Sequence, residues 1–167
     1  MKENPEQQDL RQKLLPGKLS AEGFLGEDMR SPAEIIQEDV AALARLGTSA
    51  TELAARMREL TELGQTELGR PVRNGDLEIT VTGAMGGIPC PFSDAHRADK
   101  RLTQVKNILT GQEAHWSDLN IHMLERHGFC EGRGSFFRLE PADLVKLLME
   151  EKLYSKAEDR DLPDDYA

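Results

Sequence analysis

Aromatic side chains supply only 5% of the 167 residues, cysteine occurs twice, and no apolar run approaches the length of a membrane span. Each scarcity excludes something. With few rings available, the core has to rest on Leu, Ile, Val, Met and Ala. Two cysteines do not supply a disulfide framework, which points to a reducing compartment. A transmembrane helix needs about 20 consecutive apolar residues. None is present, and no charged-then-apolar leader opens the chain, so the expectation is a cytoplasmic protein that stays out of the membrane. Bases are also short: 21 Lys and Arg stand against 30 Asp and Glu, a net charge of −9. That speaks against nucleic acid as the partner, because affinity for phosphate backbones comes from cations displacing counterions.

What is present is the composition of a soluble globule, 38% hydrophobic and 31% charged. The fold class expected is α+β, with an N-terminal αα-hairpin followed by a small, mainly antiparallel sheet with two helices. Residues 1–20, with Pro5, Pro16 and Gly17, read as a flexible arm. Residues 21–70 read as the helical hairpin. Ser31-Pro32-Ala33-Glu34 is a capping-box start, Ile36, Val40 and Leu43 recur at helical spacing, and Gly47 closes the first helix. Ser49 and Glu52 repeat the start, and Leu53, Met57 and Leu60 form the second stripe.

Residues 71–153 read as the α+β domain. Asn74-Gly75 is a turn, after which Leu77, Ile79 and Val81 alternate with polar residues as a half-buried strand does. Arg101 to Ile108 and Gln112 to Trp116 continue the sheet, and Ser117 caps a helix from Asp118 to His127, closed by Gly128. Phe136 to Leu139, FFRL, reads as a short strand, and Pro141 opens a last helix. Residues 154–167 read as a solvated acidic tail.

Chemistry concentrates in one window. Cys90, His96, His115, His122, His127 and Cys130 include both cysteines and all four histidines. The stretch VTGAMGGIPCPFSDAH, Val81 to His96, has the glycines of a phosphate loop but lacks its lysine, and Pro89 and Pro91 oppose the helix that would present an anion site. A bend that lets backbones approach closely is the plainer reading. The stretch LNIHMLERH, Leu119 to His127, resembles the helical half of a Cys2His2 zinc finger, and a hairpin precedes it as in such a finger. Histidines five apart diverge by about 140° on a regular helix, so the last turn must tighten or unwind for both to face one ion. The other half departs from the finger pattern: CPFSD supplies only Cys90, and Ser93 and Asp94 stand where a second cysteine would be.

The ligands expected for one zinc ion are therefore Cys90, His96, His122 and His127, with His115 in reserve. The alternative for these residues is packing: His122 on a half-buried helix face, His127 against the helix dipole, both cysteines as small buried hydrophobes. A second alternative makes Cys90 the nucleophile of a thiol-dependent enzyme, with a histidine as base.

Two further features carry weaker readings. LARLGTSATELAARM has the look of a helix-turn-helix, with Arg56 and Arg58 on its second helix, but Glu52, Glu59 and Glu62 share that helix. A protein partner or homodimer meeting through Leu53 and Met57 is the expected use of this hairpin. Gly132-Arg133-Gly134-Ser135 could hold an anion and is more simply a turn. Taken together, GAMGGIPCPF, HWSDLNIHMLERHGF and GSFFRLEP resemble segments of a group of small bacterial proteins with no established activity. That resemblance implies a bacterial cytosolic protein and no particular reaction. The function expected is a non-catalytic binding or regulatory module with one structural zinc ion.

Overall fold

A computed structural model describes residues 3–150; the expected acidic tail and the last residues of the 71–153 unit lie outside them. The first element corrects the sequence reading. Instead of a flexible arm, Pro5–Leu14 forms helix α1, with Asn4 and Gln7 exchanging capping bonds. Leu14 is fully buried, against a cluster that includes Phe24, Ile35 and Phe129. The helical residues Glu6 to Lys13 are mostly polar, so periodicity gave no sign of a packed element; one leucine at its end does the anchoring.

Helix α2 (Pro32–Arg45) starts at Ser31, and α3 (Ala50–Gln65) at Ser49; each serine accepts from the backbone N–H three residues on. At two of the three positions of the expected stripe Ile36, Val40 and Leu43, the buried face is displaced by one residue. Pro32, Ile35, Asp39 and Leu43 are buried, Ile36 is half-buried and Val40 is exposed, because α2 packs through Ile35 and Asp39 instead. Asp39 is buried as the partner of Arg138, whose Nη2 reaches Asp39 Oδ1 at 2.9 Å while Nη1 bonds the other oxygen.

Strands β1 (Val72–Asn74), β2 (Leu77–Pro89), β3 (Arg97–Asn107) and β4 (Glu113–Ser117) make an antiparallel sheet in that order. Leu77, Ile79 and Val81 face α3, as their alternation predicts. Opposite them, Gly64 lets α3 come close: a Cβ there would stand 2.6 Å from Val81 Cγ2. Trp116 is fully buried, its indole N–H donating to Thr61 Oγ1 at 2.9 Å, and Thr61 in turn pairs with Thr103 at 2.9 Å. The one buried indole and two buried hydroxyls thus satisfy each other across helix and sheet.

Helix α4 (Asp118–His127) follows β4 without a loop, and α5 (Pro141–Leu148) closes the described chain. Between them FFRL is not a strand. Arg138 N–H turns back to the Ser135 carbonyl at 3.0 Å, which brings the Phe137 carbonyl to the Asn120 amide at 3.2 Å. A strand there would have forfeited both contacts and the Arg138–Asp39 pair. Leu43, Leu53 and Met57 share one core cluster with Val81, Trp116 and Leu148. Helix α2 packs mainly on α5, and α3 on α4 and the sheet, so the N-terminal helices and the α+β part are one packed body, and Leu53 and Met57, with no exposed surface, are spent inside it rather than offered to a partner.

Candidate metal centre

Strands β2 and β3 form a long hairpin whose lower half packs on α3 and whose upper end packs, through Ala98 and Cys90, into a second apolar cluster with Leu14, Phe24 and Met123. The glycine-rich stretch is part of β2: residues between Gly83 and Gly87 bulge opposite Lys100, so the strand bends and continues to Pro89. The hairpin's tip is the loop from Cys90 to His96. Cys90 N–H bonds the His96 carbonyl at 2.9 Å to close it, and Asp94 Oδ1 accepts from His96 N–H at 3.0 Å. Ser93 and Ala95 sit at φ of 58° and 62°, a left-handed conformation that L-residues take at a cost. These contacts fix the loop so that Asp94's other oxygen points at α4. Lys13 of α1 reaches Ser93 Oγ from the outer side.

Helix α4 presents the histidines. It ends in a glycine cap: Gly128 is left-handed at φ 66°, and Phe129 N–H reaches back to the Met123 carbonyl at 3.1 Å. The last turn stays α-helical through His127, with Gly128 N–H on the Leu124 carbonyl at 3.0 Å, so the expected tightening or unwinding does not occur and the two side chains converge from a regular helix. His122 Nε2 then lies 2.6 Å and His127 Nε2 2.7 Å from the same atom, Asp94 Oδ2. Ring stacking holds both imidazoles. His96 lies flat on His122 with centroids 3.7 Å apart, and Phe92 lies flat on His127 at 4.1 Å. Cys90, buried beneath, completes a group of four whose ligand atoms all lie within 4.8 Å of one another.

The electrostatics follow from this packing. Burial opposes the Asp94 charge, but the His127, His96 backbone and His122 hydrogen bonds outweigh it and hold the carboxyl well below the usual range. A carboxylate only accepts, so each Nε2 bonded to it carries a proton and donates. His122 is pushed down by burial, with His96 and His127 adding to the effect against Asp94's pull upward. Burial, reinforced by the Asp94 charge, raises the Cys90 thiol to about 11. At neutral pH Asp94 is an anion, His122 a neutral imidazole and Cys90 a protonated thiol.

Such a set can hold a metal ion. One sulfur, two imidazole nitrogens and one carboxylate oxygen form a borderline donor set of the kind zinc takes. Around a tetrahedral zinc, neighbouring ligand atoms stand about 3.3–3.7 Å apart. An ion held by these four side chains would take the place of the Nε2 protons now shared with Asp94 Oδ2.

Three of the expected ligands, Cys90, His122 and His127, converge. His96 does not join the ligand atoms; it supports His122 by stacking. His115 is far along the sheet on β4, its Nε2 2.7 Å from the Phe136 carbonyl. The residue missed was Asp94. Its spacing from Cys90 was the visible signal, since it stands where a finger's second cysteine belongs, but a lone aspartate in a polar loop has no periodicity to mark it. The remaining candidates are structural. Cys130 is fully buried, which pushes its thiol up to about 12. Arg56 is buried and donates to the Leu148 carbonyl at 3.0 Å, and Arg58 pairs with Glu125, so neither is free to read a base edge. Gly132 lies under Leu25, with its N–H on the Phe24 carbonyl at 2.9 Å.

No family model, curated protein or solved structure matches this chain, so the chemistry of the site rests on its own geometry.

Proposed function

We propose that the protein is a non-catalytic binding module whose fold is completed by one zinc ion, held by Cys90, Asp94, His122 and His127. The observation that carries this reading is the aim of two histidines from a helix end at one carboxylate oxygen of a hairpin tip, with a thiol behind it. Four protein ligands leave no position for substrate, the arrangement of structural rather than catalytic zinc. The ion would tie the tip of the β2–β3 hairpin to the end of α4. Because the liganding geometry exists only in the folded chain, metal-binding free energy adds to folding stability.

The thiol-enzyme reading is disfavoured by the same residues. A nucleophilic cysteine needs a depressed pKa and access; Cys90 is 5% exposed and raised to about 11.

The test is metal analysis of protein purified without chelators, with thermal unfolding recorded before and after chelation and after added zinc. The expected result is close to one zinc per chain, a melting temperature that falls on chelation, and loss of both effects in His122→Ala/His127→Ala. Protein that takes up no zinc and melts unchanged in its presence would overturn the proposal.

A further inference from the structure

On the side of the β2–β3 hairpin next to the metal group lies a second, separate feature. The bulge in β2 leaves a cavity of about 490 Å³ between the hairpin, the start of α4 and the loop after it. That is the size of a small-molecule site. Phe24, Leu102, Leu119, Phe136 and Phe137 give it apolar walls, and Phe136, 60% exposed, stands at its mouth.

One wall carries Glu131, which is only 2% exposed. Its carboxylate oxygens accept from Ser135 Oγ at 2.8 Å and from Asn120 Nδ2 at 2.8 Å. Both partners are neutral, and the carboxylate has further lone pairs to fill. Among the described residues no cationic side chain pairs with it. Arg138 is near, but its guanidinium is committed to Asp39 and to the Glu131 backbone carbonyl. Arg101 at the rim is committed to Asp118 at 2.6 Å. A buried carboxylate without a directly bonded counter-charge is costly. Its backbone is strained as well: Glu131 is held at φ 65°, in the left-handed region, directly before a glycine. Burial raises its carboxyl to about 7 against the Ser135 and Asn120 hydrogen bonds and the nearby charge of Arg138.

We propose that this cavity binds a small organic amine, its apolar body against Phe136, Phe137 and Leu102 and its ammonium on the Glu131 carboxylate. Arg138, and Lys100 and Arg101 on the cavity lining, make no ion pair with the Glu131 carboxylate; the incoming ammonium supplies that direct partner, and the rings supply the apolar contact. The inference does not rest on the zinc reading, since none of the four metal ligands lines the cavity.

The experiment is calorimetric or ligand-observed NMR titration at pH 8 with 4-phenylbutylamine and its neutral counterpart 4-phenylbutanol. The expected result is at least about a tenfold preference for the amine, worth one decade in dissociation constant. Glu131→Gln should abolish that preference while still binding the alcohol, which also reports that the variant is folded. Phe136→Ser, at an exposed position that the fold tolerates, should weaken both probes severalfold. Equal binding of amine and alcohol, binding of neither, or an amine preference that survives Glu131→Gln would each overturn the proposal. If Glu131→Gln does not fold, unchanged amine affinity in Phe136→Ser overturns it and weakened affinity supports it.

Discussion

Asp94 receives both histidine donors on one oxygen while its other oxygen closes its own loop through His96 N–H. One side chain therefore sets the shape of the hairpin tip and the aim of two rings on α4. If its role is ligation, a stronger zinc ligand should serve as well. Asp94→Cys should bind zinc at least as tightly as the parent, because it completes the two-cysteine, two-histidine set, whereas Asp94→Leu should lose more than the roughly 10–100-fold that loss of a supporting contact costs. Competition against a chromophoric zinc chelator reads both. Parent-like zinc affinity in the leucine variant would remove Asp94 from the ligand set.

At the scale of elements, two loops distant in sequence cross with almost no space between them. Gly132 N–H bonds the Phe24 carbonyl and Glu27 N–H bonds the Arg133 carbonyl, each at 2.9 Å. A Cβ on Gly132 would lie 2.1 Å from the Leu25 carbonyl oxygen, so backbone must part to admit it. The expected outcome for Gly132→Ala is a loss of about 1–3 kcal/mol, the usual cost of overpacking. Gly83→Ala in the bulged strand is the control, since its nearest neighbour would be 4.0 Å away. Urea unfolding should separate the two by a clear shift in midpoint; coincident midpoints would mean the crossing yields freely. This crossing also holds the Glu131 loop against Phe24, which gives the cavity its floor.

For the whole molecule, the pH dependence of stability distinguishes its titrating groups. Glu131 holds its proton up to about 7 when folded and releases it near 4.5 when unfolded. The native state thus binds more protons between those values, and Glu131's contribution falls as pH rises through that window. His122, lowered from 6.5, contributes with the opposite sign, gaining as pH rises towards 6.5. Asp28, held low chiefly by the Arg30 hydrogen bond, and Asp94 contribute in full above their unfolded value of 3.8 and lose that contribution progressively as pH falls below it towards their lower folded values. Comparing the parent with Glu131→Gln cancels the shared terms. The parent should lose stability relative to the variant between pH 5 and pH 8 in urea titrations, and a constant difference across that range would show that Glu131 does not titrate there.

The sequence by itself determined the α+β class, the serine starts of α2, α3 and α4, the core face of β2 and the pairing of Cys90 with His122 and His127 as candidates. These are local properties: caps, alternation and spacing act over a few residues, and they survive in any packing. Only the tertiary structure decided that α1 is anchored through Leu14, that Leu53 and Met57 face inward, and that FFRL turns instead of pairing. In each case a distant partner, Phe24, the sheet or Asp39, outweighed the local preference. The same holds for the two sites. Asp94 and His96 sit two apart in one loop, and which joins Cys90, His122 and His127 and which stacks beside them depends on how the β2–β3 hairpin leans over α4. Glu131 looked like any loop carboxylate until the crossing chain buried it without a cation, because burial is set by what packs above a residue and not by its neighbours in sequence.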